Sequence, residues 1–182
     1  MADTGKRRYD PDRRDRIIEA TLEVIAIHGV SGTTHRRVAE VADVPLGSMT
    51  YHFSGIEDLI EEAFSRLTKE IARGYDEALR KAETIDQARD VVVDIICGGF
   101  ILNDRNTTLA LELYAYTARK PEAKALMTDW MAESRKALER HFTSDVAIAV
   151  DAMIEGIAIH NYMSADLVSR DVIKAIVGKL TA

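Results

Sequence analysis

Residues 33–53, TTHRRVAEVADVPLGSMTYHF, constrain the fold of this chain more than any other stretch. Val38, Ala39, Val41 and Ala42 recur at helical spacing behind two threonines, of which Thr33 is the expected cap. Pro45 disfavours helical backbone at Val44 yet suits the first turn of a new helix, so residues 42–45 read as a tight turn between two helices. The second helix sets Gly47, Ser48 and Thr50 among Leu46 and Met49 and closes with Tyr51, His52 and Phe53. An outer face built this way can lie close against something flat or grooved.

The rest of the chain follows the same period. With 182 residues, 47% of them apolar, there is enough material for a sizeable core. Only three prolines and ten glycines interrupt it, and no run alternates with period two for long, so the expected class is all-α. The net charge of −6 argues against a protein that coats nucleic acid through bulk positive charge. Its distribution is uneven: residues 1–53 carry eight Lys and Arg against eight Asp and Glu, whereas residues 54–182 carry sixteen against twenty-two. A local basic face on an acidic protein is compatible with that split. The longest apolar run, residues 91–102, contains Asp94 and is too short to cross a bilayer, and the polar N-terminus lacks the apolar stretch of a signal peptide. A cytoplasmic protein with no membrane partner is expected. The single cysteine, Cys97, permits no intrachain disulfide and reads from its neighbours as a small buried apolar residue.

In chain order, residues 1–10 are polar and unpatterned and read as a flexible arm, with Lys6, Arg7 and Arg8 either on phosphate or simply solvated. A helix is expected from Pro11, with Asp12 and Asp15 early and Ile17, Ile18, Leu22, Ile25 and Ala26 as its stripe, ending at Gly29 in the C′ position. Residues 1–55 thus form a three-helix head and residues 56–182 a second, helical domain. That domain opens with a long helix over residues 56–82 carrying Leu59, Ile60, Phe64, Leu67, Ile71 and Tyr75. Residues 85–102 read as a helix apolar almost all round, with Gly98 and Gly99 marking a bend, a close crossing or a ligand against the backbone. Further helices are expected over residues 106–119, from Pro121 to about residue 142, over residues 146–163, and around Val172, Ile173, Ile176, Val177 and Leu180.

The head also carries a family resemblance. Gly29, Thr33, Thr34, Arg36, Val38, Ala39, Ala42, Val44, Gly47, Ser48, Met49, Tyr51, His52, Phe53, Glu57 and Leu59 together resemble the DNA-binding signature of the tetracycline-repressor-like (TetR) family of bacterial regulators. The match is dense over residues 17–64; beyond them the resemblance is architectural. It implies a ligand-responsive regulator, a repressor, that binds a palindromic operator in double-stranded DNA as a homodimer and is released by a small-molecule effector. In such a motif a recognition helix shows a few side chains to base edges while its surroundings hold phosphates. Gly47 lets backbone approach the DNA, Ser48 and Thr50 are placed for bases, and Leu46 lies beside them. In proteins it resembles, residues placed like Thr33 or Thr34, Tyr51 and His52 contact phosphates, and Arg36 or Arg37 could reach phosphate or guanine. Four positions depart from the family's habit. Asp43 stands where a turn glycine is common, Pro45 for a cap serine, Thr50 for an aromatic, and Ile56 for a phosphate-pairing lysine. No operator sequence therefore transfers to this chain.

Catalytic and metal spacings are missing from the sequence. It holds no His-Glu-x-x-His, Glu-x-x-His, Walker loop or Gly-x-Ser-x-Gly, and its five histidines are isolated. Neither an enzyme nor a metal or cofactor is expected. For an effector, Phe100, Tyr114, Tyr116, Met127, Trp130 and Met131 could line a cavity, with Asp94, Glu112 or His160 as its polar anchor, and two buried carboxylates would favour a cation. Ordinary core packing is the competing reading for each. The wide apolar faces of the last two helices are more than one small core needs, which points to a two-fold dimer through Met153, Gly156, Ile157, Ile173, Ile176 and Val177. The rival function is a dimeric helical ligand-binding or interaction protein that has lost DNA binding.

Overall fold

The computed structural model describes residues 10–98 and 103–182. The expected arm with Lys6, Arg7 and Arg8, and the positions Gly99 and Phe100, lie outside these. Among the described residues the regular elements are helices: α1 (Arg13–His28), α2 (His35–Val41), α3 (Gly47–His52), α4 (Ile56–Leu79), α5 (Ile85–Cys97), α6 (Asp104–Arg119), a 3₁₀ turn (Pro121–Ala123), α7 (Lys124–Leu138), α8 (Ser144–Met163) and α9 (Arg170–Leu180). The chain divides into two compact units, Met1–Ala63 and Phe64–Ala182.

The first unit is a small core wrapped by short helices. α1 buries Ile17, Ile18, Leu22 and Ile25; α2 adds Val38 and Ala39, and Met49, Phe53, Leu59 and Ile60 close the cluster. Gly29, at φ 67°, ends α1 through its amide on the Ile25 carbonyl, in a left-handed conformation that glycine adopts without strain. Arg14 locks the outside: its guanidinium lies 5.2 Å from the Phe53 ring centroid and pairs with Glu62. The α2 cap differs from expectation. Thr34 accepts the Arg37 amide at 3.3 Å, while the hydroxyl of buried Thr33 donates to the Gly29 carbonyl at 2.9 Å. The polar group of Thr33 is therefore spent on tying the turn to the end of α1.

The turn between α2 and α3 explains one sequence departure. The Asp43 amide donates to the Glu40 carbonyl and the Val44 amide to the Ala39 carbonyl, the double closure that normally ends on a left-handed glycine. Asp43 occupies that place at φ 51°, a conformation that costs a residue bearing a Cβ. Asp43→Gly is accordingly expected to stabilise the first unit by about 1 kcal/mol. Thermal and urea denaturation of the two proteins would show it, and an equal or lower midpoint for the variant would refute it.

The second unit is a helical bundle in which α8 touches α5, α6, α7 and α9, while α5 and α9 pair along their lengths. Side chains tie distant parts together. Arg89 donates to the hydroxyl and carbonyl of Thr181, Arg140 reaches Asp76 on α4, and a His141 ring nitrogen lies 2.9 Å from the Leu79 carbonyl. Two expectations are corrected here. α5 ends at Cys97, where a Cβ on Gly98 would lie 2.5 Å from the Asp94 carbonyl, so no helix runs unbroken over residues 85–102. Nor is α5 buried all round: it covers Val92, Val93, Ile95 and Ile96 but exposes Asp94 and Cys97. The thiol belongs to the outer face, set by α5 packing on one side only.

Among the described residues α8, and not the apolar run over residues 91–102, is the helix long and apolar enough to span a bilayer by length and composition. It carries Asp151 and Glu155 in mid-helix and makes contacts with four other helices, which is not the setting of a membrane span.

Candidate nucleic-acid interface and buried polar cluster

α3 is less than two turns long, and its two sides differ sharply. Met49 is fully buried and Ser48 is 8% exposed, so both face the core. On the other side Tyr51 is 82% and Leu46 54% exposed, and a Cβ placed on Gly47 would meet nothing within 4 Å. Thr50 is exposed, with its hydroxyl on the Gly47 carbonyl at 3.3 Å. The outward surface is therefore Leu46, Gly47, Thr50 and Tyr51, with half-buried His52 edge-on to Tyr51 at 4.8 Å between ring centroids. Ser48 does not belong to it, because the helical turn that exposes Gly47 and Thr50 rotates the residue between them inward. On α2, Arg36 is exposed and pairs with Glu40 at 3.1 Å, and the Arg37 guanidinium donates to the Gly32 carbonyl. Neither arginine is held away from solvent.

The expected effector residues scatter through the second unit. Asp94 is exposed and paired with Arg170, and His160 is exposed at the end of α8, so neither anchors an interior cavity. Tyr116 is buried with its ring 5.8 Å from that of Phe64. Met127 and Trp130 are buried and Glu112 and Met131 half-buried. Trp130 and Tyr114 meet at 6.4 Å between ring centroids. A groove of 710 Å³ runs between α4 and α7, with Thr68, Ala72, Asp76, Trp130, Lys136 and Arg140 in its walls. Among these, Asp76 titrates below the usual carboxylate range because Arg140 and Arg80 bond it.

A different group of polar side chains is gathered inside this unit. Tyr114 donates its hydroxyl to Glu155. Four residues earlier on α8, buried Asp151 accepts from Arg135 Nε at 3.0 Å. Tyr75, only 2% exposed, lies in the field of Asp151, Glu155 and Tyr114. Burial pushes the Asp151 carboxyl up against the opposing pull of Arg135, and burial likewise raises Glu155 against the hydrogen bond from Tyr114, with Asp151 adding to the rise and Arg135 opposing it. Burial and the neighbouring carboxylates raise both tyrosine hydroxyls, so neither ionises near neutrality. Of the four, sequence reasoning had singled out only Tyr114. Its legible trace was two carboxylates one helical turn apart in an otherwise apolar run, the pattern that places charge on the inner side of a helix.

Comparison with known proteins agrees with the geometry of the head. The profile of the bacterial regulatory proteins of the tetR family matches residues 17–63, which contain most of α1, all of α2 and α3 and the start of α4. The crystal structure of SCO7518 from Streptomyces coelicolor A3(2) superposes with a TM-score of 0.86 at 40% identity, over 94% of this chain and 99% of that one. The chain belongs to the TetR family. It is also similar to the transcriptional regulator BetI 1 of Chromohalobacter salexigens, 28% identical over 81% of this chain and 77% of that protein. A third likeness is to the multidrug binding protein EbrR in its complex with ethidium, with a TM-score of 0.78 at 25% identity over 93% of this chain and 99% of that one. TetR-family membership makes the chain a bacterial transcriptional regulator and gives the exposed face of α3 its context.

The helices expected to pair across a dimer axis present a mixed picture. Ile173 and Val177 are 1% and 0% exposed: they are spent inside the subunit, because α9 lays that stripe against its own α5. Met153, Gly156, Ile157 and Ile176 are only half-buried. Around them Ile148, Tyr162, Met163, Leu167 and Val172 are exposed large apolar side chains. A helix apolar on every side, such as α8, normally has neighbours on every side.

Proposed function

We propose that this TetR-family protein is a homodimeric repressor that reads a palindromic operator through α3 and leaves it when a small molecule binds the second unit. The observation that carries the DNA reading is the outward face of α3, where a large aromatic, an apolar side chain and a bare glycine stand exposed on a buried core. Gly47 admits close approach of backbone to DNA, Leu46 and Thr50 are placed at base edges, and Tyr51, His52, Thr34, Arg36 and Arg37 are placed for phosphates. Thr33 and Ser48 serve the fold of the head. The dimer forms through the outer faces of α8 and α9, at Met153, Gly156, Ile157 and Ile176, and its two-fold axis presents half-sites separated by about 34 to 36 Å or a multiple. The protein acts in the cytoplasm, where its operator is. Effector release is a population shift: the ligand binds the conformation that does not hold DNA more tightly, and DNA affinity falls by the same factor.

Selection of bound sites from genomic fragments, followed by titration with salt, tests the reading. A palindromic site whose affinity falls steeply with salt is expected; failure to retain any fragment leaves the rival, a ligand-binding protein without DNA binding. On the selected operator, Tyr51→Phe should weaken binding several-fold on all sequences alike, while Thr50→Ala should change sequence preference. A shift of preference with Tyr51→Phe would overturn these roles. Ile157→Glu should give a folded monomer by analytical ultracentrifugation, since burying an unpaired charge at an apolar interface costs more than the contact returns. A variant that remains dimeric would move the interface elsewhere.

A further inference from the structure

The first unit is acidic for a DNA reader. Residues 10–63 hold five arginines and no lysine against eleven Asp and Glu, and each of those arginines is bonded within the unit. Arg13 and Arg16 meet Asp10, Arg14 meets Glu62, Arg36 meets Glu40, and Arg37 donates to the Gly32 carbonyl. These residues therefore offer phosphate little attraction through bulk charge, and the placing of each guanidinium matters more than the total. Arg36 sits beside the outward face of α3: a notch of 430 Å³ is lined by Arg36, Ala39, Glu40, Asp43, Val44 and Leu46. There Arg36 Nε donates to Glu40 Oε1 at 3.1 Å, with the two side chains 84% and 64% exposed. An i,i+4 pair this open adds little to stability. It does fix two other things. The carboxylate cancels the guanidinium charge toward any phosphate that drifts near, and it occupies Nε, so that the two Nη groups are the donors left for DNA.

We propose that Glu40 is a positioning residue that sets DNA specificity: it holds Arg36 as a neutral, pre-aimed pair that a closely docked operator phosphate engages and other DNA does not. Loosely held DNA is attracted through net charge, and the pair offers none. On a docked operator a phosphate oxygen meets the Nη groups directly, in charge-assisted bonds that the Glu40 carboxylate on the Nε side does not contest. Discrimination comes from what Glu40 withholds from the wrong partner. Asp43, in the same notch, adds to the repulsion of misplaced backbone. The proposal rests on the repressor reading for the contact between Arg36 and DNA.

Fluorescence anisotropy of the full chain tests this on two duplexes of equal length, the operator recovered by selection and a random sequence, each titrated from about 50 to about 200 mM salt. Glu40→Gln keeps the size and helix propensity of the side chain and should fold with an unchanged thermal midpoint. Its affinity for the random duplex should rise about fivefold at about 0.1 M salt, with a salt slope steeper by about one, while operator affinity rises no more than about twofold. Glu23→Gln removes the same charge from the exposed side of α1 and should leave the ratio of the two affinities at the wild-type value. Arg36→Lys keeps the charge but not the fork, and should lose about fivefold on the operator alone. A wild-type ratio in Glu40→Gln, an equal fall of the ratio in Glu23→Gln, or full operator affinity in Arg36→Lys overturns the proposal and spares the repressor reading. If selection retains no fragment and Glu40→Gln is equally silent on the random duplex, both fall together.

Discussion

Arg135→Met should destabilise the second unit by about 3 kcal/mol at neutral pH, because it leaves the Asp151 carboxylate buried without its cation. The Asp151 side chain is only 4% exposed and its bond to Arg135 Nε is 3.0 Å, while the arginine itself is 32% exposed. The arginine can thus be lost at little desolvation gain, whereas the aspartate cannot escape. The expected cost depends on pH in a definite direction. Burial already lifts the folded Asp151 carboxyl above its ordinary value, and removing Arg135 takes away the hydrogen bond and the positive charge that lower it. The penalty therefore applies above the unfolded-state carboxyl range and shrinks as the pH falls through the raised folded value, where the neutral acid can be buried. Thermal melts of wild type and variant between pH 5 and 8 should converge toward the acid end. The double variant Arg135→Met, Asp151→Leu should recover most of the loss, since replacing both members of a buried pair by apolar groups is often neutral or better. A single variant that melts with wild type at every pH would mean that Asp151 is solvated in solution.

The same residues show where sequence reasoning stops. The head was legible because its determinants are local: Gly29 at the end of α1, an Asp-Val-Pro break and periodic apolar residues act within a few positions of themselves. Even there the cap was displaced by one residue, because two adjacent threonines offer the same chemistry and only the α1 carbonyl at Gly29 decides between them. In the second unit the informative contacts join α4, α6, α7 and α8. An apolar stripe such as that of α9 says that Ile173 and Val177 will be covered but not whether by their own subunit. Likewise a carboxylate in an apolar run is equally compatible with an outer edge, as for Asp94, and with an interior pair, as for Asp151. The difference is which neighbouring helix arrives with an arginine, and from which side, and periodicity carries no record of that.

Gly47→Glu is expected to abolish operator binding while leaving the head as stable as before or slightly more so. Glycine at this position is required neither by the backbone nor by packing: its φ is not in the left-handed region, and a Cβ would meet nothing within 4 Å. At the first residue of α3 a glutamate has better helix propensity than glycine by about 0.5 kcal/mol, and its charge complements the helix dipole. A purely structural role thus predicts no loss of any kind. On the outward face, however, the same side chain would fill the space into which DNA backbone must come and set a carboxylate against phosphate. The expected fall in affinity is at least about 100-fold, or about 2.7 kcal/mol, for every DNA sequence. Gly47→Ala, smaller and uncharged, should lose much less and keep the same preference. A denaturation midpoint that holds or rises while DNA binding vanishes would separate function from fold at this position. Retained binding in a folded Gly47→Glu protein would mean that α3 does not enter a groove with this face, and Leu46, Thr50 and Tyr51 would lose their assigned roles together.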